Sequence, residues 1–166
     1  FTVDDSRNIA PLGWHVPTEA EYETLLNYID TYSSENNNWT FAGSKLKETG
    51  VTHWQIPNEF ATNEYGFNGV AGGIKAPSGA FTGFLTYDML FWSVDGFGIS
   101  AGSGVEFIMI DDFSSIPNAG ASLRLLKNNS TDTVAVVGND GRIYSTIKIG
   151  DQVWMAENSQ ETKYQN

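Results

Sequence analysis

The side chains best suited to chemistry lie in one part of the chain, between Ala76 and Leu123. This segment has no Lys or Arg but carries five acids, which are Asp88, Asp95, Glu106, Asp111 and Asp112. Two carboxyl groups that face each other across a cleft, roughly 5–10 Å apart, can hydrolyse a glycosidic bond. Nothing in the pattern marks one carboxyl as the acid and another as the base, and adjacent Asp residues usually belong to turns or solvated faces. We therefore expect no catalysis.

The same segment interleaves its acids with aromatic and aliphatic side chains, a composition typical of binding surfaces. Because a strand shows two faces, about half of the apolar residues among Phe107, Ile108 and Ile110 should belong to the core. Tyr87 and Met89 are expected to lie nearby. The candidate ligand-binding residues are Asp95, Phe97, Ile99, Glu106, Phe107, Met109, Asp111, Asp112, Phe113, Ser115 and Ile116.

Metal-binding and nucleophilic motifs are missing from the sequence. His15 and His53, its two histidines, lack the i, i+4 spacing of a metal-binding pair on a helix, and His15 is expected to be a hydrogen-bonded structural residue. The absence of Cys excludes disulfides, thiolate metal sites and Cys nucleophiles. The Gly102–Gly104 region lacks the context of a nucleophile elbow, and Gly69 to Gly73 do not match a phosphate-binding loop. We expect neither a catalytic metal nor a cofactor.

Charge restricts the partners of this chain. Its 20 acids against 9 bases give a net charge of −11, which disfavours nucleic acid and anionic lipid surfaces. No apolar run reaches the ~18 residues of a membrane span, so we expect no membrane insertion. The partner should be neutral or basic. The first residue, Phe1, is typical of a processed or constructed start.

Local signals predict two helices and several short strands. Thr18 and Glu21 form a capping box that begins an amphipathic helix over 18–32, and Gly50 closes a second helix over 44–49. Residues 51–80 predict a long irregular loop anchored by Trp54, Phe60 and Phe67. Strands are expected at 81–86, 89–94, 105–110 and 121–127. Among the tryptophans, Trp39 should be the more exposed, and core or near-core positions are expected for Trp14, Trp54, Trp92 and Trp154.

The last part of the chain predicts a β-meander. Strands are expected over 133–137, 142–149 and 152–156, and the Asn139-Asp140-Gly141 sequence is a strong hairpin signal because these residues tolerate positive φ. We predict that Thr146–Ile149 pairs with Val153–Met155 inside the main sheet system. With no repeat and no linker, the chain is expected to form a single domain over 1–166.

An ordered set of signatures connects this chain to a known family. It comprises Gly13-Trp14-His15-Val16-Pro17-Thr18, Lys45-Leu46-Lys47-Glu48-Thr49-Gly50, Phe91-Trp92-Ser93 and Gly120-Ala121-Ser122-Leu123-Arg124. The set resembles the Fibrobacter succinogenes major paralogous domain, a bacterial surface module of C-type-lectin-like fold. The resemblance implies an α+β domain with one long amphipathic helix, a short second helix, small antiparallel sheets and a long Gly/Asn-rich loop. It also implies an extracellular, cell-surface or phage-particle location, with residues 94–116 as the exposed recognition face.

The order of the family's blocks is rearranged here. The block from Gly141 to Asn158, within the meander of 133–158, resembles the N-terminal opening of the family but comes last. The chain could be a circular permutant, a piece cut out of phase from a tandem array, or a chain whose last segment pairs with a neighbouring copy. We favour a permuted or re-cut single domain, because chain termini that lie close together make permutation easy.

The resemblance also bears on calcium, catalysis and variability. Ile56-Pro57-Asn58 only partly matches the calcium triplets of sugar-binding C-type lectins, which leaves a structural calcium on Asn58, Glu59 or Asn63 as an option. Formylglycine-generating enzymes share the implied fold, but their activity needs Cys. Because this chain has no Cys, that activity is not expected here. Some lectin-like domains are diversified by retroelements, and the composition of 94–116 fits such diversification except at Glu106 and Met109. We therefore hypothesise that this face is hypervariable.

These observations favour a binding function. The expected role is an extracellular ligand-binding or adhesion domain that uses a variable lectin-like face to bind a protein or a glycan. The alternative is a structural or assembly module of a repeated bacterial or phage surface protein, in which the same face packs against a neighbouring domain. An enzyme acting on glycans is the least favoured interpretation.

Overall fold

The computed structural model describes residues 5–30, 38–80, 85–116, 119–129 and 132–165. It confirms an α+β protein with one long helix, one short helix and small antiparallel sheets. In chain order the elements are β1 (Trp14–His15), α1 (Glu19–Ile29), β2 (Asn38–Trp39), α2 (Ala42–Leu46), β3 (Asp88–Trp92), β4 (Phe97–Gly102), β5 (Ile108–Asp112), β6 (Leu126–Lys127), β7 (Val136–Val137), β8 (Ile143–Tyr144), β9 (Thr146–Ile149) and β10 (Gln152–Met155).

The strands form two four-stranded sheets and a two-stranded ribbon. The first sheet has the order β1-β6-β10-β9, the second has the order β2-β5-β4-β3, and β7 pairs with β8. Neighbouring strands are antiparallel in all three. Helix α1 packs against both sheets, since its buried side chains share one hydrophobic cluster with Phe91 and Ile99 of the second sheet and with Trp154 of the first.

Helix α1 begins as the sequence predicts. The Thr18 hydroxyl accepts from the backbone N–H of Glu21, and the Glu21 carboxylate accepts from the backbone N–H of Thr18, which completes the capping box. The helix ends at Ile29 rather than at residue 32, because Asp30 turns to extended backbone (φ −137°, ψ 108°). The last two residues of the predicted helix lie outside the described part of the chain.

Helix α2 is shorter than expected and lies earlier in the chain. It ends at Leu46, well before Gly50, because Lys47 adopts extended backbone (ψ 137°) and forms a β-bridge with Gly69. This bridge joins the end of the helix to the long loop. The prediction of a helix over 44–49 was therefore wrong in its bounds, since pairing with a distant segment outweighs the local helical signal.

The second sheet contains a strand that the sequence did not indicate. Strand β4 carries Gly98 and Gly102, and glycine has a low intrinsic tendency to form strands. Strand β4 lies between β3 and β5 and forms backbone hydrogen bonds on both edges. This pairing stabilises the strand despite its low intrinsic propensity. The expected strand at 105–110 is displaced to β5. Of the strand expected at 81–86, residues 85–86 form a turn, and the other residues lie outside the described part of the chain. The strand expected at 121–127 is shorter and comprises only β6.

The C-terminal hairpin packs into the body of the protein, as predicted. Strand β9 pairs with β10, with Trp154 opposite Ile147, and β10 also pairs with β6. Val153, Trp154 and Met155 are all fully buried. The expected continuous strand over 142–149 is interrupted at Ser145, whose carbonyl accepts instead from the backbone N–H of Ala156.

Aromatic side chains fill the core, with two departures from expectation. Trp14, Trp54 and Trp154 are buried and Trp92 is half-buried, which confirms their predicted positions. Trp39 was expected to be exposed and is 2% exposed, because β2 pairs with β5 and its indole N–H donates to Asn27 Oδ1 at 2.8 Å. Phe60 does not anchor the loop, since its side chain is 53% exposed.

Candidate functional site

The second sheet has one face in the core and an opposite face that is only partly exposed, since Leu90, in the same row as Ser100 and Met109, is buried there. Directly opposed residues of antiparallel strands point to the same side, so Phe91, Ile99 and Ile110 form one row. All three are buried against α1 and α2. The neighbouring row on the other side contains Trp92, Gly98 and Asp111. We define the outer face by Trp92, Ser100, Met109, Asp111 and Phe113, which are half-buried.

The outer face combines an aromatic pair with a fixed polar pair. Trp92 and Phe113 meet edge to face, with ring centroids 5.2 Å apart and planes at 78°. Beside them, Ser100 Oγ donates to Asp111 Oδ2 at 2.7 Å. Gly98 lies beneath the aromatic pair, where a β-carbon would lie 3.1 Å from a ring atom of Phe113. The closer contact is with the backbone, because this β-carbon would lie 2.6 Å from Phe91 O, so a side chain here would disturb the pairing of β3 with β4 as well as the ring.

The structure brings together only part of the predicted set of ligand-binding residues. Met109, Asp111 and Phe113 lie on the outer face. Ile99 was wrong as a binding residue, because it is 0% exposed in the core. Phe97 also points to the core side and packs against the main cluster. Met89, expected near the binding residues, is fully buried. For Phe97 and Ile99 the cause is the alternation of β4, which turns them inward and Ser100 outward; Met89 lies on the inward side of β3, opposite Ala101.

Asp95 and Asp112 flank one end of the outer face, close to the start of α1. Asp95 accepts from the backbone N–H of Glu19 at 3.1 Å, so this carboxylate stabilises the first turn of the helix. Hydrogen bonds from the Ser114 side chain and from the Ser114 backbone N–H lower the pKa of Asp112. Burial raises the pKa of Glu19, and further increases come from the charges of Glu23, Asp95 and Asp112. This end of the face is therefore strongly acidic.

The opposite end of the face is formed by the turn before β3 and the turn after β4. Asp88 and Tyr87 lie over Gly102, where a β-carbon would come within 3.2 Å of Asp88 Oδ1 and 3.6 Å of the tyrosine ring. Burial raises the pKa of Asp88. Tyr87 is 40% exposed at this end of the face.

The remaining predicted residues lie around this sheet rather than on its outer face. Glu106 and Phe107 precede β5, and their carbonyl oxygens approach α2 so closely that Gly43 has no room for a β-carbon. Ser115 is exposed and Ile116 is half-buried in a turn closed by a hydrogen bond from Ile116 N–H to Phe113 O. These positions border the outer face or support it from behind.

Sequence reasoning missed Trp92 and Ser100 as residues of the face. Trp92 was expected near the core as part of a motif, and Ser100 lies in a stretch for which the sequence predicted no helix or strand. The alternation of Ile99, Ser100 and Ala101 contains the signal in retrospect, with apolar side chains on either side of a polar one. Gly98 and Gly102 flank these three residues, and because glycine disfavours strands they weakened the prediction of a strand here.

The two histidines and the candidate calcium ligands have structural contacts. His15 lies between Asn128 and Glu21, which confirms it as a hydrogen-bonded structural residue, and His53 contacts Glu48. The Asn58 amide donates to the carbonyls of Glu48 and Gly50, and the Asn63 side chain closes a turn with Asn68. Within the described ranges, no group of three or more His, Asp or Glu side chains is placed to hold a metal ion.

Comparison with known proteins identifies the family. The family described as Fibrobacter succinogenes major domain matches residues 1–127. No curated protein and no solved structure matches the chain. In the described part of the chain, neither helix has the length and apolarity needed to cross a bilayer. The match ends at Lys127, ahead of the C-terminal hairpin, and it includes the signatures around Trp14, Lys47, Trp92 and Arg124. The chain therefore belongs to the Fibrobacter succinogenes major domain family.

Proposed function

We propose that this protein is an extracellular binding or adhesion domain that recognises a protein or glycan through the outer face and carries out no catalysis. The observation that carries the proposal is the composition of that face. A solvated sheet face is normally polar, whereas this one presents Trp92, Met109 and Phe113 beside the Ser100–Asp111 hydrogen bond. Aromatic and methionine side chains are enriched at interfaces, where they supply most of the contact area.

The charge of the face indicates the chemistry of the partner. Asp88 lies at one end, Asp95 and Asp112 lie at the other, and Asp111 lies between them, while Ala76 to Leu123 contains no base. A neutral glycan fits this arrangement, because a sugar ring can stack on an aromatic side chain while the carboxylates accept hydrogen bonds from the sugar hydroxyls. A basic protein surface satisfies it by charge complementarity, which also accelerates association.

The proposal is tested by screening the purified domain against glycan and surface-protein arrays. The strongest ligand is then titrated against three proteins: the wild type, a double variant with Asp111→Asn and Phe113→Ala, and a control with Ile143→Ala. Ile143 lies on the exposed ribbon, away from the outer face. We expect the double variant to lose at least about tenfold in affinity, which corresponds to ~1.4 kcal/mol, and the control to lose none. Equal affinity of all three proteins would refute the proposed face.

Assembly with copies of the chain is the second candidate function. Val134, Val137 and Ile143 are 66%, 61% and 68% exposed, and Val137 lies directly opposite Ile143 on the β7–β8 ribbon. Exposed β-branched side chains on a short ribbon suit packing against another domain. If no array ligand is found and the mass from sedimentation rises with protein concentration, assembly replaces ligand binding as the favoured function.

A further inference from the structure

Lys47 is a fully buried base in an acidic protein. Its side chain is 0% exposed, although the chain has only 9 Lys and Arg residues. Lysine is almost never fully buried unless its charge is satisfied, because removing an ammonium from water costs several kcal/mol. The surroundings of Lys47 must therefore replace the hydration of its ammonium group.

Four backbone carbonyls surround the ammonium. Lys47 Nζ lies 2.8 Å from Glu59 O, 3.1 Å from Gly102 O, 3.2 Å from Ser103 O and 2.8 Å from Val105 O. The ring of Trp54 adds a cation–π contact, with its centroid 5.5 Å from Nζ. We call these four carbonyls the carbonyl cage.

The carbonyl cage has the chemistry of a cation site. Converging backbone carbonyls replace the hydration shell of bound cations in proteins, and here they do so for an ammonium. Burial lowers the pKa of Lys47 to about 8, against which the nearby charges of Glu59 and Glu106 act. Carbonyl oxygens can only accept hydrogen bonds, and the ammonium donates through three N–H groups where the neutral amine has two, so the cage also favours the protonated form. The ammonium is thus the species held at neutral pH.

The cage also joins three parts of the fold. Glu59 belongs to the long loop, Gly102 ends β4, Ser103 and Val105 follow in the next turn, and Lys47 itself follows α2. A backbone hydrogen bond from Glu59 N–H to Ser103 O, 2.9 Å long, runs beside the cage. The ammonium therefore holds the long loop against the end of the second sheet.

We propose that the carbonyl cage is a cation-binding site which the chain fills with its own ammonium, and that truncation of Lys47 opens it to a free primary alkylammonium ion. Replacing Lys47 by Ala removes three carbons and the ammonium, which together have the size of n-propylammonium. Truncation would take the Lys47 donor from Glu59 O, Gly102 O and Val105 O and leave Ser103 O with only its bond from Glu59 N–H, and a primary ammonium would restore the lost bonds.

The test is chemical rescue of Lys47→Ala, followed by thermal unfolding. We expect the melting temperature to fall by on the order of 10 °C, because a buried charge and its hydrogen bonds are lost. Adding n-propylammonium chloride should restore at least half of that loss, since a ligand of the folded state stabilises it by mass action. Tetramethylammonium chloride at equal concentration has no N–H donor and should restore none.

Lys45→Ala is the matched control, because Lys45 lies in α2, is only half-buried, and its Nζ donates to a single carbonyl, Ile29 O at 3.2 Å. Its melting temperature should respond equally to both salts. The proposal is overturned if Lys47→Ala has the same melting temperature as the wild type, or if the two salts raise the melting temperature of the variant equally. If the variant does not fold in buffer, the test becomes refolding from urea in the presence of each salt. Recovery in n-propylammonium alone supports the cage as a cation site, and failure in both salts overturns it.

Discussion

The substitution Arg124→Met tests whether a buried guanidinium holds the second half of the long loop. Arg124 is fully buried, and its two terminal nitrogens donate to Phe67 O, Met155 O and Asn68 O, the last two at 3.1 Å. A further bond of 2.6 Å reaches Asn158 Oδ1. The guanidinium also stacks on Phe67, with 4.3 Å between its central carbon and the ring centroid. One side chain thus connects the loop to the end of the C-terminal hairpin.

The magnitude follows from the acceptors that the substitution leaves behind. Methionine fills a similar volume but donates no hydrogen bond, so four oxygens lose their partner. Each unsatisfied buried acceptor costs about 1–3 kcal/mol, and part of that cost is offset because the guanidinium no longer needs to be desolvated. We expect a net loss of about 3–5 kcal/mol in the free energy of unfolding, from a total of roughly 5–15 kcal/mol for an ordinary domain.

Urea unfolding followed by tryptophan fluorescence measures this loss, because Trp154 lies 5.9 Å from the Phe67 ring that Arg124 covers. Arg142→Met is the control, since Arg142 is exposed and contacts the side chain of Gln160. The control should change stability by less than about 0.5 kcal/mol. A loss below about 1 kcal/mol for Arg124→Met would show that the loop is held by packing rather than by the guanidinium.

Two further substitutions test the support of the sheet and the acidic end of the outer face. Gly43→Ala should destabilise the protein by at least about 2 kcal/mol in urea unfolding, because its β-carbon would lie 2.6 Å from Glu106 O, whereas Gly104→Ala meets nothing within 4 Å and should be neutral. The pKa of Glu19 in the folded protein is raised above its ordinary value of 4.5. Between pH 4.5 and that raised pKa the folded state binds more protons than the unfolded state, so the free energy of unfolding falls as the pH rises across this interval. Glu19→Gln should flatten this part of the pH profile, and an unchanged profile would contradict the assignment.

Local sequence signals predicted the elements whose stabilising contacts are themselves local. The Thr18–Glu21 capping box fixes the start of α1 within four residues of chain, and the apolar spacing after it orients the helix. The hairpin around Gly150 was predicted for the same reason, because strand pairing there is closed by a tight turn with positive φ (60°). Signals of this kind need no knowledge of the rest of the fold.

Signals that depend on distant partners were misread. Strand β4 is rich in glycine and exists because β3 and β5 flank it. Trp39 is buried because β2 pairs with β5, a strand far along the sequence. The bounds of α2 depend on a bridge between Lys47 and Gly69. In each case the free energy that decides the structure comes from a contact with a segment far along the sequence.

The sequence by itself determined the family, the α+β class, the acidic charge and the segment that carries the outer face. Only the tertiary structure decided which side chains of that segment point outward, because a shift of one residue in a strand exchanges its two faces. It also decided that Lys47 and Arg124 are internal. A buried cation is stable only where carbonyl oxygens from several segments converge, and that convergence exists only once the chain has folded.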